Sequence, residues 1–121
     1  MLLGLRTVVY PVADLQAAKA WYVKVLGQQP YFDQPFYVGF NVGGFELGLN
    51  PEGAASTAGS QALWGVADID AAYAQLLALG ATALEPVTDV GEGIRVAAVT
   101  DPFGNRLGII QNPHFDLQQV R

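Results

Sequence analysis

A chain of 121 residues, 51% apolar and 14% charged, has the length of one domain and enough apolar material for a buried core. It has no cysteine, which excludes disulfides and thiol chemistry, and no apolar run near the roughly 18 residues of a membrane-spanning helix. The net charge of −5 argues against a nucleic-acid partner; it permits a cationic ligand, but plain solubility is the more ordinary reason for a charge of that size.

The opening stretch MLLGLRTVVYP is apolar but has neither a basic start nor a cleavage pattern, so it reads as a first strand and not as a signal peptide. Asp14 follows, a natural N-cap for a helix in which Leu15, Ala18, Trp21 or Tyr22, and Val25 recur at helical spacing. Gly27 stops that helix. QQPYFDQ, PFYVGFNV and, past Gly43-Gly44, FELGLNP then read as three strands. Alternation puts Thr7 and Val9 on one face of the first strand, with Val8 and Tyr10 toward the helix. Tyr31, Phe32, Phe36, Tyr37 and Phe40 make the middle strands aromatic, part of the run facing the helix and part the opposite side. EGAASTAGS, at 52–60, reads as a flexible linker.

The chain then repeats itself. VADIDAAYA at 66–74 nearly copies VADLQAAKA at 12–20. QALWGV reads as a strand with Gln61 and Leu63 on its inner face and Trp64 toward the helix. Asp68 caps a second helix carrying Ile69, Ala72, Leu76 and Leu79, which Gly80 ends. ATALEPV, GIRVAAVT and, past DPFGN, RLGIIQNP complete the copy. DPFGN places Pro at the second position of a type I turn, with Gly and Asn for positive φ. DVGEG, at 89–93, reads as a long hairpin turn or a mobile lid. An inward Arg95 would capture an anionic group, and an outward one would be a solvated edge charge. His114, in the tail at 114–121, reads as structural or as a ligand contact.

The expected class is therefore α+β, with the order strand–helix–strand–strand–strand written twice: module one at about 3–51, module two at about 61–113. One helix cannot cover both faces of a four-stranded sheet. The modules are expected to pair, within the chain or across a homodimer, around a curved mixed sheet with a central cavity and the helices outside.

The V-x-D-hydrophobic openings, the pair Trp21-Tyr22, Leu26-Gly27 and the D-P-x-G-N run from Asp101 to Asn105 resemble the glyoxalase / bleomycin-resistance / extradiol-dioxygenase superfamily, also called vicinal oxygen chelate, over residues 3–113. The resemblance implies the paired βαβββ fold. It also implies, in the enzymes, a divalent metal held by His or Gln on the first strand of each half and by Glu on the last. The matching positions here are Thr7, Gly48, Gln61 and Gly108. Two of these have no side chain, Thr is a poor ligand, and one Gln holds no metal, so the expected cofactor is none. Glu46 lies two residues before Gly48 on the same face, either as a shifted cavity carboxylate or as a rim charge. Gly48 and Gly108 either leave room for a ligand or let strands approach closely.

The resulting expectation is a cytoplasmic homodimer that binds a small organic molecule, as in drug or metabolite sequestration. Its cavity would be lined by Thr7, Val9, Tyr37, Glu46, Gly48, Gln61, Arg95 and Gly108. Neither nucleic acid nor membrane is an expected partner. Two alternatives stand beside it. One is a metal-dependent glyoxalase-like lyase or ring-cleaving dioxygenase using Glu46, Gln61 and His114. The other is a non-catalytic interaction module whose glycines only permit packing. Neither a G-x-S-x-G nucleophile motif nor a phosphate-binding glycine loop is present.

Overall fold

Two aspartates start the helices. The computed structural model describes residue 3, residues 5–58 and residues 61–120. Parts of the N-terminal apolar run (1, 2 and 4), of the linker (59 and 60) and of the tail (121) lie outside the described residues. Helix α1 (Leu15–Leu26) begins where the Asp14 carboxylate accepts the free amide of Ala17, and α2 (Ile69–Ala78) where Asp68 accepts that of Ala71. Gly27, at φ 68, closes α1 in the left-handed conformation that glycine adopts without a Cβ penalty.

The chain divides into two compact units, Met1–Ala55 and Ser56–Arg121. In the first, strands β1 (Thr7–Pro11), β2 (Phe32–Gln34), β3 (Tyr37–Val42) and β4 (Phe45–Asn50) form one sheet in the order β1-β4-β3-β2. β1 runs parallel to β4, as a strand–helix crossover requires, and the other pairs are antiparallel hairpins. Gly43 and Gly44, at φ 60 and 91, make the two-residue turn between β3 and β4. The buried part of the helix-facing side is apolar. Tyr10, Val38, Phe40, Leu47 and Leu49 are buried against Leu15, Ala18, Trp21 and Tyr22 of α1. Trp21 and Tyr22 meet edge to face at 4.8 Å, so both positions left open by the helical spacing are core.

The second unit repeats the plan. Strands β5 (Leu63–Gly65), β6 (Thr82–Gly91), β7 (Ile94–Thr100) and β8 (Arg106–Gln111) pair in the order β5-β8-β7-β6. Ala97, Val99, Leu107 and Ile109 are buried on the α2 side with Ile69 and Leu76. Each unit is thus a four-stranded mixed sheet with one helix, the α+β arrangement expected. Several details differ from the sequence reading. β5 starts at Leu63, leaving Gln61 before the strand and exposed. β6 extends to Gly91, longer than ATALEPV, and carries register shifts along its length.

DVGEG is neither a long loop nor a lid. Glu92 and Gly93 form a two-residue turn with φ 57 and 76, and Gly91 pairs directly with Ile94. DPFGN does turn at Gly104 (φ 93), but Asn105 has no positive φ. Its side chain instead accepts the Ser56 amide at 3.4 Å, tying the middle of the linker, where the second unit begins, to the DPFGN turn. Asp101 organises the turn: one buried carboxylate oxygen accepts the amides of Phe103 and Asn105, both at 2.9 Å.

Among the described residues, no helix is long and apolar enough to cross a membrane.

Candidate functional site

The face of the first sheet turned away from α1 carries Thr7 and Val9 of β1, Glu46 and Gly48 of β4, Tyr37 and Gly39 of β3, and Phe32 of β2. Register fixes them in rows. Thr7 lies beside Glu46, which pairs with Asn41; Val9 lies beside Gly48, which pairs with Gly39, and Gly39 pairs with Phe32. Two glycines therefore sit side by side at the centre of the sheet. A Cβ on Gly48 would fall on the Tyr37 hydroxyl. A Cβ on Gly39 would lie 3.0 Å from Glu46 Oε2 and 3.3 Å from the Tyr31 ring. The absent side chains are what let these polar groups lie flat on the sheet.

Glu46 is the centre of the arrangement. The Tyr37 hydroxyl donates to its Oε1 at 2.6 Å, and the Tyr31 hydroxyl donates to its Oε2. These two bonds, Tyr31's first, hold the Glu46 carboxyl below its ordinary 4.5; Thr7 adds to the effect and partial burial opposes it. The phenols move the other way. Burial, then the bond to Glu46, pushes Tyr37 well up, and the bond to Glu46 raises Tyr31. The site thus holds a fixed carboxylate and two protonated phenols across the neutral range.

In the second unit the outcome differs. Gly108 pairs with Leu63, and a Cβ there would come within 2.8 Å of both the Ala62 backbone carbonyl and the Leu63 side chain. At Gly108 the missing side chain serves close strand approach. Arg106, two residues earlier on the same face, forms a bidentate pair with Glu85 at 3.0 and 2.7 Å. Its Nε is buried with no hydrogen-bond partner among the described residues. Matching the registers of the two sheets, Arg106 stands where Glu46 stands in the first unit, and Gly108 where Gly48 stands.

One expected cavity position, Arg95, is corrected, and His114 takes the structural one of its two readings. Arg95 shares its strand face with Ala97 and Val99, toward α2, and its guanidinium grips Asp70 in the helix's first turn at 2.9 and 3.1 Å. A guanidinium held on the helix side by a carboxylate that the N-terminal dipole favours is removed from the face of Gly108. His114 is pinned in the tail: its Nε2 lies 2.8 Å from the Glu92 carbonyl, and its amide donates to Asn112 Oδ1. It braces the β6–β7 hairpin.

The structure thus brings together Thr7, Val9, Tyr37, Glu46 and Gly48, and adds Tyr31, Gly39 and Phe32. Gln61 and Gly108 belong to the other unit. Tyr31 was visible in the sequence only as one of several aromatics, since its contact with Glu46 depends on the β2–β3 register. The divalent metal that the fold implies does not fit the donors present. Gly48 and Gly108 offer none, and the space at each is occupied by the Tyr37 hydroxyl or approached by the Ala62 carbonyl. Both Glu46 oxygens already accept hydroxyls. Among the described residues, no three His, Cys, Asp or Glu side chains cluster as a metal site.

The family model of the Glyoxalase/Bleomycin resistance protein/Dioxygenase superfamily matches residues 4–109. Solved structures with the same fold include a lactoylglutathione lyase from Agrobacterium tumefaciens, 19% identical over 96% of this chain and 100% of that one, with a TM-score of 0.75. A glyoxalase-related enzyme from Fulvimarina pelagi is 24% identical over 93% of this chain and 90% of that one, at TM-score 0.73. A glyoxalase/bleomycin resistance protein from Albidiferax ferrireducens T118 is 22% identical over 90% and 98%, at 0.71. No curated protein matches the chain.

Proposed function

This chain belongs to the Glyoxalase/Bleomycin resistance protein/Dioxygenase superfamily, and from that premise we propose that it binds a small organic molecule on the open face of its first sheet without a resident metal. One observation carries the reading: Glu46 is clasped by two tyrosine hydroxyls over a floor of paired glycines. Glycine at the centre of two paired strands weakens them, and a carboxylate ordered by two side chains loses rotamer freedom. Such an arrangement is hard to explain by stability alone. Convergent polar groups on an otherwise apolar, aromatic surface are the usual chemistry of a ligand site.

Holding the ligand is favoured over turning it over. A general base works best with a pKa near the working pH, and Glu46 is shifted below the usual carboxylate value while the phenols are shifted above theirs. A homodimer is part of the reading. Val9 and Leu63, at matching positions away from the helices, remain 48% and 46% exposed, and a second copy would cover such surface.

The test is elemental analysis after incubation with Zn, Mn, Ni and Fe(II) and desalting, alongside an amide-shift screen of small aromatic compounds. The expected result is sub-stoichiometric metal, with ligand shifts centred on Tyr31, Tyr37 and Glu46. Near-stoichiometric metal that Glu46→Ala abolishes would overturn the proposal in favour of a metal-dependent lyase or dioxygenase.

A further inference from the structure

The chemistry around Glu46 points beyond binding in general to a class of ligand, an inference that rests on the site proposed above. Glu46 forms none of the ion pairs found among the described residues; these join Lys19 to Asp33, Arg95 to Asp70 and Arg106 to Glu85. Asp33 pairs with Val38 in the register, so it and Lys19 lie on the helix side of the first sheet. The positions sharing the Glu46 face on β1, β3 and β4 carry neither Lys nor Arg. Among the described residues Glu46 is thus a carboxylate with hydroxyl donors and no ion-pair partner; Arg6, next to Thr7, meets it only through its backbone carbonyl, which accepts the Glu46 amide at 2.8 Å, while its guanidinium donates to the Leu5 carbonyl.

A chain of aromatic rings leads away from this charge: Tyr31 and Tyr37 bond to it, Phe32 meets Tyr37, and Phe36 meets Phe32. Tyr31 is 63% exposed, Phe32 37% and Phe36 66%, an unusual degree for three rings within six residues. Phe32 meets Phe36 at 6.0 Å and Tyr37 at 6.1 Å, both near edge to face, so the three rings form one continuous aromatic cluster. Ring faces are electron-rich and attract cations, preferring those that shed water easily. A tyrosine whose hydroxyl donates to a carboxylate is richer still, because the bond pushes electron density into the ring. A divalent metal ion needs several donors at once, and among the described residues no three His, Cys, Asp or Glu side chains cluster. An alkylammonium needs only the carboxylate, whose oxygens keep lone pairs open after each accepts one phenol.

We propose that the Tyr31–Glu46–Tyr37 cluster, flanked by Phe32 and Phe36, is a recognition site for a small organic cation, an alkylated or protonated amine with an apolar body. The ammonium sits against the Glu46 carboxylate and the phenol rings. The apolar body lies over Phe32 and the exposed Val9. Charge complementarity selects the cation, and the rings select an organic one over a metal.

Benzyltrimethylammonium and choline are the probes, with 3,3-dimethyl-1-butanol as the neutral isostere of choline, titrated into the full chain and followed by amide shifts and calorimetry. The expected result is saturable binding of both cations with shifts at residues 31–37 and 46, and binding of the neutral isostere at least about 10-fold weaker. Glu46→Gln keeps the side chain's shape and removes its charge; it is expected to weaken benzyltrimethylammonium by about 10-fold or more. Phe36→Leu, on a ring 66% exposed and thus safe for folding, is expected to weaken it by about 3- to 10-fold. Equal binding of isostere and cation, or unchanged affinity in Glu46→Gln with native circular dichroism, would overturn the proposal. Shifts at these residues from neutral or anionic aromatics but not from the cations would remove the cation assignment and leave the binding site. No shift there from any probe would remove both.

Discussion

Glu46 is the residue whose state decides most. Its carboxyl is held below 4.5 in the folded chain, so the stabilisation from its phenol bonds is complete above that ordinary value and is lost as pH falls through the lower, folded one. The phenols define the opposite window. Their bonds contribute fully below 10.0 and fade as pH rises past it toward their raised values. The stability gap between wild type and Glu46→Gln is therefore expected to be flat from pH 5 to 9 and to close in acid, as read from urea midpoints across the range. A gap that closed between pH 5 and 7 would contradict the lowered carboxyl. Gly48→Ala places a Cβ on the Tyr37 hydroxyl, and overpacking of this kind costs about 1–3 kcal/mol. The same substitution in a Tyr37→Leu background is expected to cost clearly less, because the clashing group is gone.

Among the elements, the strand glycines separate into kinds that composition does not distinguish. At Gly108, Ala62 opposes an added Cβ with backbone, which moves less readily than a side chain. Gly108→Ala is expected to lose about 1–3 kcal/mol in chemical denaturation. Gly65→Ala, where a Cβ meets nothing within 4 Å, should stay within about 0.5 kcal/mol of wild type. The DPFGN turn depends on one buried carboxylate oxygen accepting two amides, so Asp101→Ala leaves those donors unsatisfied and is expected to cost about 1–3 kcal/mol. Caps, helices, hairpin glycines and the Asp101-Pro102 turn were all legible in the sequence, because each depends on residues within a few positions of one another. The Glu92-Gly93 turn was less so: a non-glycine residue at φ 57 is rare, and the glycines on either side suggested a longer loop.

At the scale of the whole molecule, a homodimer predicts a mass near twice 12.9 kDa by light scattering at micromolar concentration, and a monomer mass would refute it. The duplicated strand–helix–strand–strand–strand order could be read from sequence alone because period, caps and turns are local signals repeated at the same spacing. The same local reading put Thr7 with Val9, and Glu46 with Gly48, on one face of their own strands, since alternation along a strand needs no knowledge of its neighbours; the β1–β4 register is what joins the two pairs. It failed at Arg95, whose partner Asp70 lies 25 residues away on the helix, and it gave no reason to join Tyr31 to Glu46 across two strands. Those choices depend on register and on which hydroxyl fills the space a glycine leaves, both set by long-range pairing. Local chemistry therefore determined the elements and the faces, and the tertiary structure alone decided which polar groups meet on them.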